Sequence, residues 1–261
     1  MIYKKFATVY DIMHADQHSV NMTKYCQKIF KKFKIKPASG LDLCCGTGSA
    51  INILSDAGIN MSGLDQSAEM LAIAAKKLKR KKIKLYQKSL PLFKLLDNTD
   101  SKKIVQFDLI TSFYDSLNYM QSEKDLFTAL QSVQKHLQPG GWFIFDMNTP
   151  KALKTIWDEQ IYAGVKESMA WVWQNEYDPE RKQAACHATF FNKKGKVWER
   201  FDETHIETGY TNTVIKSLLK KAGFRIKGYY NCLTFEKPDR DCYRICGVVQ
   251  KSVSRHRKLR T

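Results

Sequence analysis

Apolar residues along this chain change period several times, and each change marks an element. Runs of alternating or continuous apolar residues give way to stretches where apolar positions recur every three to four residues. After an amphipathic segment at about 19–34, GLDLC (40–44) predicts a first strand, and 50–58 a helix that stops at Gly58. NMSGLD (60–65) is a second strand, and Ser67 is placed to cap the helix AEMLAIAAKKLKRK. KIKLYQ (82–87) and VQFDLITSF (105–113) read as the third and fourth strands. SEKD (122–125) has the form of a capping box opening a helix to about His136, and PGGWFIFDM (139–147) turns into a fifth strand. Strands separated by helices imply an α/β fold: a doubly wound, mostly parallel sheet with helices on both faces.

The period changes after Asn148. Thr149 and Pro150 can cap and start one more helix. Between 163 and 208, ESMAWVWQNEYD, AACHATFFNKKG and KVWERFDETHIE are joined by turn sequences and predict three antiparallel strands. A helix returns at 211–222 and stops at Gly223, and two strands follow around 224–235 and 241–250. The division expected is a ligand-binding core with an N-terminal segment (1–148), an inserted antiparallel β lobe (149–210), completion of the core sheet (211–250) and a basic tail (251–261).

At 261 residues, with 43% hydrophobic and 12% aromatic residues, the chain suffices for one large core with an inserted lobe. The start, MIYKKFATVYD, does not read as a signal peptide, and no run reaches the roughly 18 apolar residues of a membrane span. The seven cysteines are odd in number and scattered, without a CxxC pair. They read as reduced thiols of a cytoplasmic protein, with no metal site expected.

The chemistry centres on LDLCCGTGS (41–49), a glycine turn at the end of the first strand, where a doubly wound sheet places its ligand. A dinucleotide fingerprint requires a third glycine where Ile51 stands, and a triphosphate loop requires a lysine that does not follow Gly48. Asp42 on the strand before the turn would repel a pyrophosphate but suits an ammonium or sulfonium charge. Asp65 closes the second strand, where a carboxylate can accept from both ribose hydroxyls. The ligand expected is an adenosine with a cationic substituent and no phosphates.

S-adenosylmethionine fits that description, and the residues resemble a family. LDLCCGTGS is similar to the first motif of class I S-adenosylmethionine-dependent methyltransferases, SGLDQSAEML to the second, FDLITSFYDSLNYM to the fourth-strand motif and LQPGGWFIFDMNTP to the fifth. Tyr10-Asp11 resembles a pair found in the small-molecule branch. The resemblance spans about residues 3–250 and implies a Rossmann-like seven-stranded methyltransferase sheet. It places Asp42, Gly46 and Gly48 along the methionine portion, Asp65 at the ribose, Gln66 and Met70 beside the adenine, Phe113 beneath the cofactor and Tyr10 over it as part of a lid. Relatives often carry an Asp after the third strand; YQKSLPLF offers Ser89, or the Leu90 backbone, instead.

For the acceptor, the loop after strand four supplies Tyr114, Asp115, Asn118 and Tyr119. In the inserted lobe, Glu203 and His205 alternate onto one face. His205, Asp115 and Tyr119 are the candidates for handling a proton; Tyr114, Asn118 and Glu203 are candidates for contacting substrate. The net charge of +17 raises nucleic acid as a partner. The lysine clusters at 31–36, 75–84 and 102–103 all feed the N-terminal ends of parallel strands, opposite the cofactor, and suit helix C-termini. A small-molecule acceptor, most favourably an amine nitrogen, is therefore preferred, with an RNA (tRNA-type) methyltransferase as the alternative.

Overall fold

Parallel strands buried on both faces need near-continuous apolar runs, and the chain supplies them. The computed structural model describes residues 3–97 and 99–253; the expected basic tail beyond 253 lies outside them. Two N-terminal helices, α1 (Ala7–Tyr10) and α2 (Gln17–Phe33), precede β1 (Ser39–Leu43). Then α3 (Ser49–Asp56), β2 (Asn60–Asp65), α4 (Ala68–Lys77), β3 (Lys84–Gln87) and β4 (Phe107–Ser112) alternate. A 3-10 turn at Ser116–Tyr119 leads to α5 (Glu123–Lys135) and β5 (Leu137–Asn148). The predicted caps form: Ser67, Ser122 and Thr149 accept from the backbone N–H groups of Met70, Asp125 and Ala152.

After α6 (Pro150–Ile156) come β6 (Ile161–Lys166), β7 (Met169–Asp178), β8 (Gln183–Lys194) and β9 (Val197–Thr208), an antiparallel sheet of their own. The lobe therefore has four strands, not the three expected. IYAGVK lacks a clean alternation because its outer edge is exposed, and Gly164 leaves room for the Trp171 ring. Helix α7 (Asn212–Lys221) and strands β10 (Phe224–Asn231) and β11 (Arg244–Lys251) complete the large sheet.

That sheet runs β10-β11-β5-β4-β1-β2-β3, with β11 antiparallel to both neighbours. Strand order reverses between β1 and β4, so a crevice opens at their C-terminal ends. One core under the sheet contains Leu43, Phe143 and Phe145; the other, on the α2 and α3 face, contains Ile29, Ile51 and Leu109. A third cluster joins Phe6 and Val9 of the N-terminal segment to Phe190 and Phe201 of the lobe, so the segment is packed against the lobe rather than loose beside it.

Candidate active site

The glycine turn starts from a strand held on both sides. β1 pairs with β2 and β4, and this buries Asp42, whose Oδ1 accepts the Thr111 hydroxyl of β4 at 2.6 Å. Burial pushes the Asp42 carboxyl up to about 7; the Thr111 hydrogen bond opposes this, and nearby Asp65 adds to it. Cys44, Gly46 and Gly48 then take left-handed backbone angles, which turns the chain sharply into α3. Asp65, at the end of β2, accepts the N–H of Gly46 at 2.8 Å and that of Ser67 at 2.9 Å. One carboxylate thereby fixes the turn and the start of α4 while facing the crevice.

A cavity of about 400 Å³ opens there. Asp42, Gly46, Asp65, Gln66, Met70, Ser89, Leu90, Phe113 and Tyr10 all line it, as expected. A side chain added at Gly46 would point into open space, so this turn leaves room for a ligand where another residue would fill it. Gly48 is a correction. It does not line the cavity; a Cβ there would fall 2.9 Å from Leu78 Cδ1, so the missing side chain makes room for α4 rather than for ligand. With two carboxylates and apolar walls from Met70, Leu90 and Phe113, these residues fit an adenosine carrying a positive charge.

The N-terminal segment closes over this turn through contacts the sequence did not reveal. Thr47 donates to Asp11 Oδ1 at 2.7 Å, Lys77 pairs with Asp11 Oδ2 at 2.9 Å, and Ser49 donates to Asp16 Oδ2 at 2.6 Å. Lys77 belongs to a cluster expected at the opposite edge of the sheet, but its amine reaches Thr47 and Ser49. Lys81, in the turn that follows α4, likewise reaches Asn52 and Asp56 of α3.

A second cavity of about 340 Å³ adjoins the first, and Tyr3, Tyr10, Tyr114 and Tyr119 line both. His205 and Asp115 line the second. His205 Nδ1 lies 3.0 Å from the Tyr119 hydroxyl, which lies 2.8 Å from that of Tyr3. Burial lowers the His205 pKa to about 4, with Asp115 opposing, so the ring is neutral near pH 7. Asp115 is held firmly: its Oδ2 receives Arg244 Nη2 and Asn148 Nδ2, both at 2.8 Å. Tyr114 and Asp115 are both left-handed, which turns the Tyr114 N–H onto Asp146 Oδ1 at 2.8 Å.

Two acceptor-side expectations change. Asn118 lines neither cavity; its side-chain amide donates to the Asn148 and Thr208 carbonyls and its carbonyl oxygen accepts the Asn148 N–H. It locks the 3-10 turn to β5 and β9. Glu203 also lines neither cavity: its carboxylate accepts the backbone N–H groups of Tyr3, Lys5 and Phe6 at 2.6, 3.2 and 3.1 Å. It anchors the N-terminal segment and lies 3.7 Å from His205 Nε2, too far for a hydrogen bond. Phe190 and Trp173 belong to the lobe's apolar cluster and also form cavity wall.

Three charged residues were not singled out by their sequence. Asp146, in the fifth-strand motif, accepts from Arg244 Nη1 and lies 3.2 Å from His18 Nε2; burial opposes its ionisation, but His18 and Arg244 outweigh it and lower its pKa. Arg244 reaches it because β11 runs antiparallel beside β5, setting Cys246 against Asp146. Glu207, two residues beyond His205, lines the second cavity. The sequence signal for it was available, since the same alternation that aligns Glu203 with His205 continues to Glu207.

The crevice at the end of the seven-stranded sheet, its paired acids and the adjoining second cavity make a site for a nucleoside-type ligand beside a second small ligand. A methyltransferase-domain model matches residues 41–143, from the glycine turn into β5. The Bacillus subtilis (strain 168) protein YqeM, provisionally designated a methyltransferase, is 28% identical over 97% of this chain and 98% of its own. The crystal structure of an S-adenosylmethionine-dependent methyltransferase from Clostridium acetobutylicum superimposes with a TM-score of 0.82 at 28% identity, covering 95% of this chain and 98% of that one. A sugar N,N-dimethyltransferase of Streptomyces venezuelae, acting on a dTDP-linked 3-amino-3,4,6-trideoxyglucose, is 24% identical over 73% of this chain and 76% of its own. The chain carries a methyltransferase domain and is similar over nearly its whole length to S-adenosylmethionine-dependent methyltransferases; it is a methyltransferase with S-adenosylmethionine as its methyl donor. Among the described residues no helix is long and apolar enough to cross a membrane.

Proposed function

We propose that this enzyme transfers the methyl group of S-adenosylmethionine to the nitrogen of a small-molecule amine held in the second cavity. The observation that carries the reading is the shared wall: Tyr3, Tyr10, Tyr114 and Tyr119 border both cavities, so an acceptor in one faces the donor in the other. The donor supplies a carbon already activated by its sulfonium, so the protein's task is alignment and exclusion of water. Asp42 and Asp65 hold the charged and ribose ends of the donor, while the segment latched by Asp11, Asp16 and Glu203 covers them. The charge of the second cavity supports an amine. Arg244 is already paired with Asp115 and Asp146, and Glu207 adds a further acid. The acceptor nitrogen of the Streptomyces relative named above supports the same class. His205 and Tyr119 would orient the amine through their hydrogen-bonded pair, with Asp115 fixed behind them.

The reading is tested by incubating enzyme and S-adenosylmethionine with separate amine, carboxylate and tRNA pools and measuring S-adenosylhomocysteine. Release is expected with the amine pool. Incorporation into tRNA, by binding that weakens steeply with salt, would overturn it.

A further inference from the structure

We propose that the second cavity takes a phosphate-free amine with an apolar body, and that Glu207 holds the proton removed from its ammonium group. The proposal rests on the amine reading above. Glu207 and His205 stand two residues apart on β9 and both line the cavity. Glu207 Oε2 accepts Asn148 Nδ2 at 2.8 Å, while Oε1 has no hydrogen-bond partner among the described residues. Asp115 is differently placed, because its carboxylate is already ion-paired with Arg244, which it meets together with Asn148 through Oδ2. Arg244 in turn directs its other terminal nitrogen to Asp146 at 2.6 Å.

Among the described residues Arg244 is the one Lys or Arg lining this cavity, and it is bracketed by two carboxylates. A phosphate entering here would meet acids before a free cation, at a cost that no pairing offsets. Trp157, Trp173 and Phe190 form apolar wall suited to a hydrocarbon or aromatic body. His205 presents Nδ1 to the Tyr119 hydroxyl of the shared wall, while its buried Nε2 has no hydrogen-bond partner and lies 3.7 Å from Glu203.

Between the two candidate bases, the environment separates them. Burial and Asp115 raise the Glu207 pKa well above the usual carboxylate range, whereas burial drops His205 to about 4. Glu207 therefore binds a proton far more readily and is the better match for an amine. An ammonium meeting ionised Glu207, or a free amine meeting the protonated acid, gives one and the same neutral pair, the form that burial favours. The nitrogen lone pair then forms the N–C bond to the methyl carbon as the C–S bond breaks, its electron pair passing to sulfur. The products are a methylated ammonium and the neutral thioether S-adenosylhomocysteine. The proton on Glu207 returns to solvent on product release.

Glu207→Gln keeps the side chain's shape and its bond to Asn148, and unchanged S-adenosylmethionine affinity by calorimetry verifies folding. Turnover is followed with benzylamine, phenethylamine and tryptamine, with phosphoethanolamine as the phosphate-bearing comparison. Wild-type kcat/KM is expected to be flat between the Glu207 pKa and that of the amine. The Gln variant should fall on the order of 10²-fold at neutral pH and recover about tenfold per pH unit as the solution supplies free amine. Parallel profiles for the two proteins, or this signature appearing in His205→Gln instead, would overturn the assignment to Glu207. N-methylation of phosphoethanolamine but of none of the aryl-alkyl amines would overturn the substrate class while leaving amine methylation standing. Methyl transfer to oxygen or carbon only, or no turnover of any of the four amines, would remove both.

Discussion

Glu203 Oε1 accepts the backbone N–H of Phe6 at 3.1 Å, from a strand almost two hundred residues further along the chain. The same carboxylate takes the N–H groups of Tyr3 and Lys5, so one side chain satisfies three donors of the N-terminal segment. Hydrogen bonds to a charged acceptor are each worth about 1.5–3 kcal/mol, and partial exposure of these groups lowers that range. Glu203→Ala should cost about 2 kcal/mol in denaturant unfolding and expose Lys4 and Lys5 to trypsin in the folded protein. Unchanged stability and unchanged cleavage would remove Glu203 as the anchor.

Asp65 has two tasks, and they can be separated. It fixes the turn through Gly46 and Ser67 and faces the cofactor cavity. Asp65→Ala should weaken S-adenosylmethionine binding by at least tenfold, with a loss of roughly 1–3 kcal/mol in stability from the two unpaired N–H groups. Calorimetry giving wild-type affinity would refute the ribose assignment.

Asp42 should make cofactor binding depend on pH. Its carboxyl, pushed up to about 7 by burial, is protonated below that value in the free protein. A cationic ligand favours the ionised form, so binding below pH 7 must release the proton. Affinity is expected to rise by up to tenfold per unit from pH 5.5 to 7 and to level off above, and Asp42→Asn should flatten the slope. A wild-type affinity that is constant across that range would contradict the assignment.

His205 makes a separate contribution to acid sensitivity. Its pKa in the folded protein is depressed to about 4, against about 6.5 when unfolded. Between these values the unfolded chain binds the extra proton, so stability falls as pH drops from 6.5 to 4, by up to roughly 3 kcal/mol. His205→Gln should lose less stability over that interval than the wild type does, measured by urea unfolding at each pH. Equal pH dependence in the two proteins would show that the ring is not buried in its neutral form.

The local parts of this site were legible in the sequence because spacing alone defines them. Asp42 precedes the glycine turn by four residues and Asp65 ends the next strand, so a βαβ frame brings both to one crevice. The caps at Ser67, Ser122 and Thr149 are equally local. What failed were residues whose partners lie far away in the chain. Glu203 and Asn118 have the chemistry of ligand contacts, but their partners are backbone groups brought up by tertiary packing. Arg244 meets Asp115 and Asp146 only because β11 inserts antiparallel beside β5, a pairing no nearby residue announces. Gly48 was misread for a related reason: the motif marks a close approach, and the approaching group is Leu78.

The most direct test of transfer across the tyrosine wall uses S-adenosylmethionine with a carbon-13 methyl group, the wild-type enzyme and the aryl-alkyl amines, followed by NMR of the products. The label should appear as an N-methyl carbon, with S-adenosylhomocysteine formed in equal amount. Label found in an O-methyl or C-methyl group, or in added tRNA, with none on nitrogen, would contradict the account.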